Sequence, residues 1–151
     1  MGSVLDKAQL IKAESARIGE YLQKLSPQAL STPSACDAWQ VQDVVAHLTG
    51  GVDRFAPNIV RGASDDGSAP EGAPPAGVGD MEARLRANGQ LAIDFRESLG
   101  AELLKAFNSN CAKLDEALSG LAEADVAKPC YHPAGTISVE TYLNLRLTEL
   151  I

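Results

Sequence analysis

The 151-residue sequence predicts an all-α protein, an antiparallel four-helix bundle, and three observations point that way. Alanine and leucine are plentiful while aromatic residues make up only 5%, a balance that favours helices over a sandwich or barrel. Apolar residues recur at helical spacing in four separate stretches. Those stretches are joined by segments rich in Gly, Pro and Ser, so that successive helices are expected to fold back on one another. With 45% hydrophobic residues, the chain suffices for one core, and residues 1–151 read as a single bundle domain.

The first stretch runs from Ser3 to Leu25, with Val4, Leu5, Leu10, Ile11, Ile18, Tyr21, Leu22 and Leu25 near helical spacing. Ser3 followed by Asp6 resembles a capping box, with Asp in place of Glu or Gln. Pro27 lies just past its end. The second covers about Val41 to Arg61, its stripe formed by Val41, Val44, Val45, Leu48, Val52, Phe55 and Ile59. Gly50-Gly51 weakens its middle, and Pro57 is expected to kink or end it. Residues 62–79, GASDDGSAPEGAPPAGVG, have almost no large apolar side chain and read as a flexible loop. The third stretch, Asp80 to Leu121, is one long helix or two, with Gly89 and Gly100 as bend points. The last begins near Ser138 and is still helical at Leu150-Ile151, where the sequence stops, so the domain is expected to be cut off within that helix.

A net charge of -7 argues against nucleic-acid or anionic-membrane partners. No apolar run is long enough to span a bilayer and no signal-peptide core is visible, so a cytoplasmic location is expected. Cys36, Cys111 and Cys130 are odd in number and far apart, which gives neither a disulfide framework nor a thiolate zinc site.

The polar residues on apolar helix faces carry the chemistry. His47, one of two histidines, borders the stripe of Val44 and Leu48, and Asp43 lies one turn away. That spacing suits a metal-bound imidazole whose second N–H is held by a carboxylate, or simply a surface Asp–His pair. In the last helix Tyr142, Arg146 and Glu149 share one face. Glu149 is a plausible oxygen ligand that Arg146 would orient, unless the two form an exposed i, i+3 ion pair. Arg146 is alternatively a binder of an anionic substrate group. His132 precedes a proline in a loop and is either exposed or reaches a site at a bundle end.

The stretch CDAWQVQDVVAHL (residues 36–48) resembles a motif of the DinB-like metalloenzymes, of the mycothiol-dependent maleylpyruvate isomerase type: a Cys or small residue, Trp, a helix start, Asp, then His-Leu. YLNLRLTELI (142–151) resembles the same family's last helix, with Arg and then Glu three residues on. The resemblance covers the order and rough length of all four helices, and its specific content is these two motifs. It implies a divalent cation, commonly zinc, held by His47, Glu149 and a further histidine that would fall two residues past Ile151. Gln40 departs from the Ser or Thr cap more usual before the second helix.

The resemblance further implies a thiol cofactor such as mycothiol, and Arg146, from its place beside Glu149, is expected in the catalytic machinery. The expected function is a metal-dependent, low-molecular-weight-thiol isomerase or S-transferase acting on a small electrophilic substrate. A bound cation favours thiolate over thiol at neutral pH, and the thiolate then attacks the electrophile. The alternative is a non-catalytic helical bundle that binds a small molecule or a partner domain. A homodimer is allowed; neither the substrate nor the choice between isomerase and transferase is readable.

Overall fold

The computed structural model describes residues 2–36 and 38–151. Helix α1 spans Val4–Leu22. Its N-terminus is closed by the box expected from the sequence: the Ser3 hydroxyl accepts from the Asp6 amide at 3.1 Å, and the Asp6 carboxylate accepts from the Ser3 amide at 2.9 Å. The helix ends three residues earlier than its apolar spacing suggested. A single turn, α2 (Pro27–Leu30), follows, capped by Ser26 with proline in the first position, where its missing N–H costs nothing. One turn is too short to leave a periodic signal, so α2 was not foreseen.

Helix α3 spans Val41–Ala63 and passes through Pro57. The helix therefore does not end there but continues for six further residues. Both Pro57 and Asp53, whose carbonyl loses its helical partner, lie on the exposed side, where a freed oxygen can be solvated at little cost. Near its end Gly62 lies against the strand that follows, and a Cβ there would stand 2.3 Å from the Cys130 sulfur.

The third predicted stretch is two helices. α4 (Met81–Leu99) and α5 (Leu103–Ser119) meet at Gly100, whose φ of +51° is in the left-handed region that glycine enters freely. A two-residue antiparallel hairpin, β1 (Pro129–Cys130) with β2 (Ile137–Ser138), leads into α6 (Val139–Leu150), capped by Ser138. The segment between α3 and α4 has no regular structure and is tied at several points. Tyr131 donates to the Pro74 carbonyl at 2.6 Å, and the Gly77 amide donates to the Pro133 carbonyl at 2.9 Å.

Side-chain contacts fix the helix directions. His47 meets Glu149 while Asn58 meets Tyr142, so α3 and α6 are antiparallel. Asp43 meets Arg96 while Arg54 meets Asn88, so α3 and α4 are antiparallel. Lys7 pairs with Glu140, and Ser15 and Arg146 both flank Cys111, so α1 and α6 run in the same direction. α1 opposes α5, with Gly19 against Phe107 and Leu5 near Leu118. It follows that α3 and α5 are parallel. The all-α expectation holds, but the strictly antiparallel order does not, because α4 is a return stroke on the outside of α3. Only Ala92 of α4 is buried. The core lies between α1, α3, α5 and α6, built on Ile11, Ile59, Phe107, Leu114, Val139 and Leu143. No helix of the described residues is long and apolar enough to cross a membrane.

Candidate functional site

The antiparallel packing of α3 and α6 sets the first turns of one helix beside the last turn of the other. His47 Nε2 lies 3.5 Å from Glu149 Oε1, and the two side chains are 25% and 32% exposed. The pair therefore sits at a mouth, open enough for a ligand to reach it. The Trp39 ring packs against the imidazole with centroids 5.3 Å apart, and its indole N–H donates to the Gly89 carbonyl at 3.3 Å.

Asp43 does not serve His47 in either of the ways its spacing suggested. It is 2% exposed and its two oxygens are used elsewhere. One accepts from the Gln40 amide at 2.9 Å, which closes the helix start that Gln40 itself leaves without a side-chain cap. The other accepts from Arg96 Nε on α4 at 2.8 Å.

Glu149 has a second partner. Arg146 Nη1 donates to its Oε2 at 3.2 Å. This is the expected i, i+3 pair, but not an exposed one, because Arg146 is 0% exposed. Its guanidinium carbon lies 5.7 Å from the centre of the Phe55 ring, which stacks in turn on Tyr142 at 4.5 Å. Arg146 Nε and Nη2 are buried without a hydrogen-bond partner. Burial would raise the Glu149 carboxyl, but the His47 hydrogen bond and the Arg146 charge outweigh it and hold the group below the usual glutamate range. Burial pushes the Tyr142 phenol up, opposed by its bond from Asn58.

The pair fits a cation. Two ligands each about 2.0–2.1 Å from a tetrahedral ion stand about 3.4 Å apart, and His47 Nε2 and Glu149 Oε1 are separated by 3.5 Å. An imidazole with an ionised carboxylate is a borderline-hard donor set suited to zinc. Among the described residues no group of three or more His, Cys, Asp or Glu converges; His47 and Glu149 are the two donors brought together here. His132 is not brought to this pair. Its Nδ1 accepts from the Ala134 amide, and its ring stands edge-on to Tyr142 at 6.2 Å. Arg96 was not singled out by sequence reasoning, and Phe55 only as a member of the apolar stripe of the second helix.

A family model described as the mycothiol maleylpyruvate isomerase N-terminal domain matches residues 11–151. A crystal structure of the mycothiol-dependent maleylpyruvate isomerase superposes with a TM-score of 0.67 at 15% identity, covering 99% of this chain and 60% of that one. A mutant of a mycothiol-dependent maleylpyruvate isomerase, with a histidine replaced by alanine, gives 0.65 at 16% with the same coverage. The likeness is one of fold, and the chain spans 60% of the length of those structures. No characterised protein sequence matches.

Proposed function

The chain belongs to the mycothiol maleylpyruvate isomerase N-terminal domain family, and on that premise we propose that it is the cation- and thiol-binding part of an isomerase or S-transferase acting on a small electrophile. The observation that carries this reading is the 3.5 Å approach of His47 to Glu149 at an accessible mouth. These two residues would hold a divalent cation, zinc by the character of the donors. When bound, the cation supplies charge that favours thiolate over thiol near neutral pH.

The remaining roles belong to the chain's own side chains. Arg146, packed under Phe55, keeps Glu149 ionised and aims its Oε1 toward His47. Trp39 covers one side of the imidazole and limits its rotation. The mouth then leaves the electrophile and the thiol a common approach. A thiolate that adds to an activated double bond, allows rotation and leaves gives isomerisation; one that stays attached gives transfer.

The alternative is a non-catalytic bundle that binds a small molecule or a partner domain. The experiment that separates them is a pH titration of mycothiol's thiolate absorbance with zinc, in the presence and absence of the protein. The proposed function requires the thiol to ionise at lower pH with protein and zinc than with zinc alone, and to lose that gain in His47→Ala. An identical titration with and without protein would leave the alternative standing.

A further inference from the structure

Helix α4 keeps most of its apolar surface in water. Leu85 and Leu91 are each more than half exposed and Met81 is half exposed, while Ala92 alone is buried. The residues that the helix sets against its neighbours over Met81–Ala92 are polar or small: Arg84, Asn88, Gly89 and Ala92. Little apolar burial therefore holds this part of the helix in place.

Its ties are polar instead. Arg84 Nη1 donates to the Pro133 carbonyl at 2.6 Å, but Pro133 belongs to the loop between β1 and β2 and not to the core. Arg54 Nη1 reaches Asn88 Oδ1, and the Trp39 indole N–H reaches the Gly89 carbonyl, both at 3.3 Å, just beyond the usual N–H···O range. The other end is anchored differently. Phe95 and Leu99 pack on the core, and Arg96 Nε donates to the buried Asp43 at 2.8 Å. Past them Gly100, at φ +51° with open space where a Cβ would stand, is a ready pivot. A 19-residue helix with Asn88-Gly89 near its middle is marginal once it is undocked.

Beneath α4 lies a groove of about 240 Å³, shared with α3 and lined by His47, Gly50, Gly51, Leu91 and Phe95 among others. The glycines leave α3 bare there, and a Cβ at Gly50 would stand 3.3 Å from the Phe95 ring. Trp39 joins the two walls: its ring lies against the His47 imidazole, and its N–H is held by α4 at Gly89.

We propose that α4 is a hinged cover of this groove. Its N-terminal part, Met81–Ala92, undocks as a unit about the Phe95–Gly100 end and gives access to the face of α3 that carries His47. The Trp39–Gly89 bond is the latch, and it couples the position of the cover to the ring packed on the imidazole. The inference does not rest on the proposed function, because the ties and the pivot are the same whether or not a cation binds.

The test is residue-resolved hydrogen exchange of the wild-type protein, under native conditions and in mild denaturant. The amides of Leu85–Ala92 are expected to exchange at least about a hundredfold faster than those of Phe107, Leu114 and Leu143 in the core, and to share one opening that denaturant promotes. Trp39→Phe, which keeps a ring and loses the N–H, speeds that opening about threefold and leaves the core amides unchanged. Access is read separately, by iodoacetamide labelling of Ala92→Cys in a Cys36→Ser background, with the fully buried Cys130 as the internal control. Ala92→Cys is expected to react at least about a hundredfold faster than Cys130. If Ala92→Cys loses helical content, the wild-type exchange decides. Exchange of Leu85–Ala92 at the core rate, a graded pattern without a shared opening, labelling of both thiols at one rate, or no response to Trp39→Phe overturns the cover. Absence of zinc binding with the exchange pattern intact would sink the cation reading alone.

Discussion

Glu149 has a half-exposed carboxylate with a fully buried arginine behind it. Removing Arg146 takes away the charge that offsets the carboxylate's burial and the cation packed on Phe55. Arg146→Met, similar in length and neutral, is therefore expected to destabilise the fold by about 1–3 kcal/mol, the lower part of the range for broken buried pairs because Glu149 remains partly solvated. Denaturant titration checks it, and a variant as stable as wild type would show that the two unpartnered nitrogens of Arg146 already cancel its benefit. The depressed Glu149 carboxyl also predicts a pH signature. Its folded value lies below its ordinary value of 4.5, so its contribution is present above that pH and lost as pH falls through the folded value. The stability gap between wild type and Glu149→Gln should accordingly shrink with acidification below about pH 4.5. A gap that widens there would mean that burial, not His47 and Arg146, sets the group's ionisation.

At the scale of elements, two glycines separate two costs. Gly62 lies against β1 with a negative φ, and an added Cβ would meet the Cys130 sulfur at 2.3 Å and the Pro129 carbonyl at 3.0 Å. Gly62→Ala is expected to cost about 1–3 kcal/mol through overpacking. Gly100 has open space around it and φ +51°, so Gly100→Ala costs about 1 kcal/mol through backbone conformation alone. Thermal melts of the two variants test the order; a larger loss at Gly100 would contradict it. The elements were largely legible because their signals are local. Ser3 with Asp6 and Ser138 with Thr141 act within one turn, and the apolar stripe of α3 matches the face the core buries, whereas Leu5, Leu10 and Tyr21 of the α1 stripe are exposed. Pro57 does not end the helix, because the cost of a proline inside a helix depends on whether water reaches the freed carbonyl, which a periodicity does not record.

At the scale of the whole molecule, the site depends on which helices become neighbours, and this is where the sequence said least. Residue spacing alone left Asp43 free to serve His47; its real partner, Arg96, is 53 residues away and reaches it only because α4 folds back along α3. His47 and Glu149 are likewise joined by chain direction, not by spacing, and their pairing was expected only through resemblance to a family. The central claim is that the His47–Glu149 mouth holds a divalent cation, and the most direct measurement is zinc affinity by competition with a chromophoric chelator, read alongside fluorescence of Trp39, the single tryptophan, whose ring lies 5.3 Å from His47. The account predicts about one equivalent bound with a change in Trp39 emission, and His47→Ala and Glu149→Gln each weakening it more than about tenfold while the helical content stays that of wild type. Zinc bound with equal affinity by His47→Ala, or bound without any change at Trp39, would place the ion elsewhere and contradict the account.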